Sequence, residues 1–418
     1  MSSFATGFRR LRGCTALAIA FCLSLVACAS RPTEALLPVP ATVPGASLVD
    51  MLVATTRAKS PDPGILFSGQ RGAGLSLDNI VVSIPPDQNR TIGDVVWPKR
   101  YPGDPAHEFV TLHVIPLTVD GAEQWFNRAA SGKRRVLIFV HGFNNRYEDA
   151  VYRFAQIVHD SGADVIPVLF TWPSGGSVFD YNYDRESANY SRTALETILR
   201  EAATSPQVDS VTVMAHSMGG WLTMEALRQL AIRDGHLPAK LQNVILASPD
   251  LDVDVFGKQL QEIDTHRTRI TLFTSTDDRA LGLSRRIAGG VDRLGAINPA
   301  QEPYRSGLEA KGITVLDLSA LKAGDSVNHT KFAESPEVVR LIGDRLIAGQ
   351  KITDADISVG ERIEAATLGA AQAVGSAAGA VATLPIAVID PDARRTLHDR
   401  VRNVGQSLGG TLQTAIGQ

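Results

Sequence analysis

The chain has 418 residues, a formal net charge of −3, and 44% hydrophobic against 20% charged residues. That length and balance suit a globular body with one large core plus extensions, and they exclude a low-complexity or disordered polymer. The slight acidic excess gives no footprint for nucleic-acid binding.

The first 27 residues read as a lipoprotein signal peptide. Arg9, Arg10 and Arg12 form a basic start, Thr15–Val26 is an apolar run, and Leu25-Val26-Ala27-Cys28 has the small-residue pattern of a lipoprotein cleavage box. The expectation is a mature chain that begins at an acylated Cys28 and is held stably on a membrane by several acyl chains. Ala29-Ser30 carries no acidic retention signal, which points to the outer membrane, on its periplasmic side, within the cell envelope. All three cysteines (Cys14, Cys22, Cys28) fall in this leader. The mature body therefore has no thiol for a disulfide, a metal or a nucleophile. Residues 28–46, with Pro32, Pro38, Pro40 and Pro44 and no periodicity, read as an extended tether.

The body is expected over residues 47–348. It opens with three extended candidates, Leu48–Thr56, Leu77–Ile84 and Phe109–Leu117, separated by Gly/Pro-rich turns. Short connections without a crossover helix predict antiparallel pairing, in an added β layer leading into the main sheet. From Arg135 the pattern alternates. Strands are expected at Val136–Val140, Val165–Thr171, Val211–Ala215, Val244–Ala247, Ile270–Thr274 and Ile313–Leu318. Helical spacing appears at Tyr147–His159, Ala188–Ala202, Trp221–Ile232 and Pro336–Ile347. This grammar predicts an α/β fold with a mostly parallel sheet covered by helices on both faces.

Residues 349–418 form an Ala/Gly-rich tail, uncharged between Glu364 and Asp390. A hydropathy low for a membrane span, together with Pro385, favours a surface or disordered helix over a membrane or oligomer contact.

The chemistry concentrates at Ala215-His216-Ser217-Met218-Gly219. An apolar run ends on a serine flanked by small residues and passes straight into a helix, the layout of a nucleophile elbow. Such a turn presents the Ser217 hydroxyl above the sheet edge and leaves the Met218 N–H exposed at a helix N-terminus. A second N–H for a developing oxyanion is expected from Phe143, after His141-Gly142 at the end of the first parallel strand. His141 is read as a brace for that loop. His216 is set aside as the base because adjacent side chains at such a turn point apart.

A triad on this layout runs serine, acid, histidine along the chain. Among the histidines after Ser217, only His329 sits in a loop after a strand and before a helix; His236, His266 and His398 do not. The acid is expected after Ile270–Thr274, at Asp278, with Asp277 and Asp250 as alternatives. Trp172, after a strand on the same edge, is read either as lining a substrate pocket or as capping the core. Gly69-Gln-Arg-Gly72-Ala-Gly74 lacks the strand and helix that a phosphate cradle needs. No spacing suggests a metal site, and no cofactor is expected.

At these residues the chain resembles an uncharacterised bacterial α/β-hydrolase family, esterase- or lipase-like. The resemblance is carried by His141-Gly-Phe-Asn-Asn145, Phe170-Thr-Trp-Pro-Ser174, His216-Ser-Met-Gly-Gly220, Asp277-Asp-Arg-Ala-Leu281 and, near the start of the body, Ala54-Thr-Thr-Arg57. It covers about residues 48–348. One departure is Ala215, where many hydrolases carry glycine; alanine is also small enough for the turn. The resemblance implies an α/β-hydrolase fold and hydrolysis of a small-molecule or lipid carboxylic ester through an acyl-enzyme. An amidase or thioesterase would use the same residues. The competing expectation is a non-catalytic envelope lipoprotein that uses the fold as a binding scaffold.

Overall fold

The computed structural model describes residues 34–263, 267–347 and 387–389. Cys28 and most of the Ala/Gly-rich tail lie outside them, as do the readings placed on those residues.

Among the described residues ten strands form one sheet, in the order β10-β9-β8-β7-β6-β4-β5-β1-β2-β3. The strands are β1 (Ser47–Lys59), β2 (Phe67–Ile84), β3 (Val110–Leu117), β4 (Arg135–Val140), β5 (Ile166–Thr171), β6 (Ser210–His216), β7 (Leu241–Ala247), β8 (Arg269–Thr274), β9 (Thr314–Asp317) and β10 (Ala387–Ile389). From β1 to β9 each neighbouring pair is parallel. The pairs β1–β2, β2–β3 and β9–β10 are antiparallel. The fold is an α/β-hydrolase arrangement with an antiparallel N-terminal part.

The central strands are predominantly apolar because both of their faces are covered. In β4, Val136, Ile138 and Val140 enter one core, while Leu137 and Phe139 enter the other. The first core is closed by α1 (Val119–Ala129), α3 (Tyr181–Thr204), α4 (Met218–Asp234) and α5 (Val253–Glu262), through Trp125, Leu195, Leu199, Leu222 and Phe256. The second is closed by α2 (Tyr147–Asp160) and the C-terminal helices, through Val151, Phe154, Phe332 and Val338. Each such fully buried side chain contributes about 1.5–3 kcal/mol.

Four expectations need correction. The N-terminal strands pair antiparallel as expected, but they form no separate layer: β1 pairs in register with β5, Leu52 opposite Val168, so they continue the main sheet. Strand β2 begins at Phe67, ten residues before the expected Leu77, and takes in the glycine-rich stretch. Residues 34–46 are not a free tether. Ala35 and Leu36 are buried in the second core, Tyr152 donates its hydroxyl to the Ala35 carbonyl at 2.5 Å, and the Val39 N–H donates to Thr111 O at 2.8 Å. Finally, Ala387–Ile389, from the stretch assigned to the tail, adds an edge strand to β9. Helix α1 was also unexpected. It starts at an N-cap, Thr118, whose hydroxyl accepts the Gly121 N–H, and Trp125 on its inner face donates to Asp50 Oδ1 at 2.7 Å.

Candidate active site

Ser217 stands between β6 and α4 with φ 53° and ψ −122°, a backbone conformation that a non-glycine residue holds only when its surroundings enforce it. The surroundings do so at three points. The Ser217 N–H donates to Ala247 O at 3.0 Å, and its carbonyl accepts from Gly220 N (2.9 Å) and Asp250 N (3.0 Å). The helix also presses on the end of β4: a Cβ on Gly219 would lie 2.6 Å from Val140 O and closer still to His141 O. Only glycine fits there, which is why the elbow reads Ser-Met-Gly.

Gly142 is required for the complementary reason. A Cβ at that position would lie 2.8 Å from the Ser217 Cβ, so the loop after β4 runs directly alongside the serine. That loop is braced by His141, as expected. Burial, reinforced by Arg57, pushes the imidazole pKa down to about 3, so the ring is neutral. Its Nδ1 donates to Gly142 O (2.8 Å), and its Nε2 accepts the Trp172 N–H (3.1 Å). Phe143 and Met218, the expected oxyanion donors, flank this contact. The Phe143 ring packs edge-on against Tyr181 at 5.4 Å, and Met218 opens α4 at its first turn.

His329 and Asp278 meet across the same edge. His329 Nδ1 donates to Asp278 Oδ2 at 2.7 Å, which leaves the Nε2 lone pair to act as a base. The other Asp278 oxygen accepts the Leu281 N–H at 2.9 Å, capping α6 (Arg279–Ile287). One carboxylate thus starts a helix and fixes an imidazole tautomer. Burial alone would lower the His329 pKa. The hydrogen bond and charge of Asp278, with Asp250 and Asp325 behind it, outweigh burial, and the net displacement is upward. The histidine stands beside the elbow: its carbonyl accepts from His216 Nε2 at 3.2 Å, and the two rings are 4.6 Å apart. His216 is buried and neutral, its pKa pushed well down by desolvation and by His329.

Residues 119–345, just over half of the chain, match the family described as Alpha/beta hydrolase of unknown function (DUF900). The chain belongs to this family. An uncharacterized protein of Nostoc sp. is 26% identical to this chain over 153 residues, which are 30% of the chain. The chain spans only 40% of the length of that relative. Among solved structures, the "putative cell surface hydrolase" of Lactobacillus plantarum aligns with a TM-score of 0.36 at 9% identity, over 55% of this chain and 97% of that one. A "predicted CIB-like hydrolase" from Thermoplasma acidophilum aligns with a TM-score of 0.31 at 13% identity, over 72% and 98%. These overlaps are too loose to carry residue roles from one protein to another.

The two alternative acids are engaged elsewhere. Asp250 is buried and accepts from Ser284 Oγ (2.5 Å) and Tyr181 Oη (3.0 Å), with Arg293 Nε at 3.4 Å. Asp277 accepts from Lys331 Nζ (2.8 and 3.0 Å), from Ser275 Oγ (2.5 Å) and from Asn328 Nδ2 (3.0 Å). Asp277 therefore ties down the residues on either side of His329, and Asp325 completes the hold by accepting the His329 N–H at 2.7 Å. The sequence analysis missed this support. Its only signal was a lysine two residues after the histidine, buried in the structure at 1% exposure.

Trp172 does not line a pocket. It is fully buried, stacks on His141 with centroids 5.0 Å apart, and donates its indole N–H to His141 O at 2.9 Å. An aromatic ring placed directly after a strand suits either role; the short β5 loop turns this one inward. Among the described residues no group of three or more His, Cys, Asp or Glu side chains is placed to hold a metal ion.

Proposed function

We propose that this α/β-hydrolase is a serine hydrolase of carboxylic esters. The observation that supports the reading best is the pairing, on one sheet edge, of a strained elbow serine with a histidine whose Nδ1 proton is held by a buried carboxylate. In this reading Ser217 Oγ attacks the ester carbonyl while His329 Nε2 takes its proton. The oxyanion is received by the N–H groups of Met218 and Phe143, each worth about 2.7–4 kcal/mol in a transition state. His329 returns the proton to the departing alcohol, and water then releases the acyl group by the same steps. Asp278 keeps its charge throughout and stabilises the imidazolium.

The proposal extends to location. The leader and the lipobox ending at Cys28 support a lipid-anchored envelope protein on the periplasmic side of the outer membrane, acting on small-molecule or lipid esters. Among the described residues no helix is long and apolar enough to cross a membrane. A panel of p-nitrophenyl esters of increasing chain length, run on wild type and Ser217→Ala, tests the activity. Metabolic labelling with a fatty acid, on wild type and Cys28→Ser, tests the anchor. No Ser217-dependent turnover of any ester would sink the first part, and label retained by Cys28→Ser the second.

A further inference from the structure

Arg57, on β1, is buried at 2% exposure and lies outside the residues matched by the family. Its guanidinium spreads over the loops that follow β4 and β5. Nε donates to Thr171 Oγ1 (3.1 Å), and one terminal nitrogen donates to Ser174 O (3.0 Å) and Ser68 O (3.3 Å). The other donates to Asn145 O (2.7 Å) and approaches His141 Nε2 (3.4 Å). Burial lowers its pKa to about 10, so it stays charged at neutral pH.

From the opposite side Asp184, buried on α3, accepts from Ser174 Oγ (2.5 Å), Gly175 N (2.8 Å) and Asn144 N (3.3 Å). The Ser174 hydroxyl accepts in turn from Asn145 N at 3.1 Å. Asn144, held this way, has φ 59°, a left-handed conformation that asparagine tolerates better than most residues. The two residues after Phe143 are thus fixed, Asn144 through Asp184 and Asn145 through Arg57, while Arg57 also approaches His141, two residues before it.

The glycine-rich stretch of β2 now has a physical reason. A Cβ on Gly72 would lie 2.6 Å from Arg57 O, and one on Gly69 would lie 2.8 Å from both Ser174 O and Gly175 Cα. Those glycines let the hairpin close down on Arg57 and on the β5 loop.

We propose that Arg57 and Asp184 are positioning residues that hold the Phe143 N–H in place to receive the oxyanion, so that the catalytic unit begins in the N-terminal hairpin. This rests on the serine-hydrolase reading. A planar fork of five donors can satisfy several acceptors at once, whereas a lysine has one nitrogen to share. A preorganised donor matters more to a transition state than to bound substrate, so the effect belongs in kcat.

The test compares full-length wild type, Arg57→Lys, Arg57→Met and Asp184→Asn. The measurements are kcat and KM per folded molecule, the pH profile, inhibition by a trifluoromethyl ketone, and amide exchange over residues 141–145. Loss of donor placement should lower kcat by about 100-fold in Arg57→Met. Arg57→Lys and Asp184→Asn should fall between it and wild type, with KM and the histidine limb of the pH profile unmoved. Ketone affinity should fall in parallel with kcat, and exchange over 141–145 should quicken in all three variants. If Arg57→Met does not fold, the two conservative variants carry the same comparison. Ser217-dependent activity that survives in them at the wild-type kcat would overturn the proposal, as would unchanged exchange over 141–145. A wild type without Ser217-dependent turnover would remove the hydrolase reading itself and with it this role, a different failure visible in the first assay.

Discussion

His329 Nδ1 and Asp278 Oδ2 lie 2.7 Å apart although 51 residues separate them in the chain. Strand β8, which leads into Asp278, and β9, which precedes the His329 loop, are parallel neighbours, so both loops emerge at the same edge as the elbow. The contact sets a definite tautomer, and that has measurable consequences.

Asp278→Asn should keep the fold, because asparagine caps a helix about as well as aspartate. It should nevertheless lose about 10⁴-fold in kcat, since an amide cannot hold the imidazole proton in the same way. Asp250→Asn and Asp277→Asn leave the imidazole partner intact, so each should lose far less. Steady-state ester hydrolysis by the three variants decides among the acids. A larger loss in Asp250→Asn than in Asp278→Asn would reassign the role.

The upward displacement of the His329 pKa predicts the pH response. Hydrolysis needs the neutral ring, so kcat/KM should rise with pH along a limb whose midpoint lies above the ordinary histidine value of 6.5. In Asp278→Asn the limb should move down, because the partner that raises it is gone. The same shift contributes to stability: the histidine–carboxylate interaction is fully present below the unfolded-state pKa and is lost as pH rises through the folded one. A limb midpoint below 6.5 in wild type would contradict the geometry.

Away from the site, Asp78 carries a separate pH dependence. Burial pushes its carboxyl up to about 6, against the hydrogen bond that it accepts from Tyr147. The folded state therefore binds its proton more tightly than the unfolded chain, and stability falls as pH rises from about 4 to about 6. Asp78→Asn should remove that slope. At neutral pH it should stabilise the protein by about 1–3 kcal/mol, read as a higher midpoint in urea at pH 7.5 with little change at pH 3.5. An equal shift at both values would rule out titration as the cause.

The elbow offers a steric test. Gly219→Ala would place a methyl group against the carbonyl oxygens of Val140 and His141. It should cost about 1–3 kcal/mol of stability and lower kcat further by displacing the Met218 N–H. Alanine at Gly257, which has open space around it, should do neither. Wild-type activity in Gly219→Ala would mean that the strand and helix are not packed as described.

Much of this was legible in the residues themselves. Val136–Val140 and Val211–Ala215 announce buried parallel strands because both faces are covered, so their runs carry no charge and only one polar side chain, Thr212, which accepts a hydrogen bond from Asn243. Ser217, His329 and Asp278 could be placed because elbow chemistry restricts its neighbours and the alternation assigns each loop an edge. Arg57 and Asp184 were harder. A buried ion held mostly by backbone carbonyls and N–H groups leaves little pattern in sequence, since backbone groups are present at every position; Arg57 showed only as the end of Ala54-Thr-Thr-Arg57. Trp172 was ambiguous for a similar reason, because a loop's direction after a strand depends on contacts from elsewhere in the chain. Residues 34–46 misled through their prolines, which mark extended chain whether it lies on the surface of the fold or away from it.

The most direct test is reaction of the folded full-length protein with a fluorophosphonate probe, followed by peptide mapping. Ser217 should carry the adduct in wild type. Labelling should vanish in Ser217→Ala and slow by orders of magnitude in His329→Ala. A folded wild type that remains unlabelled at Ser217, or that reacts equally well without His329, would contradict the assignment of this serine as an activated nucleophile.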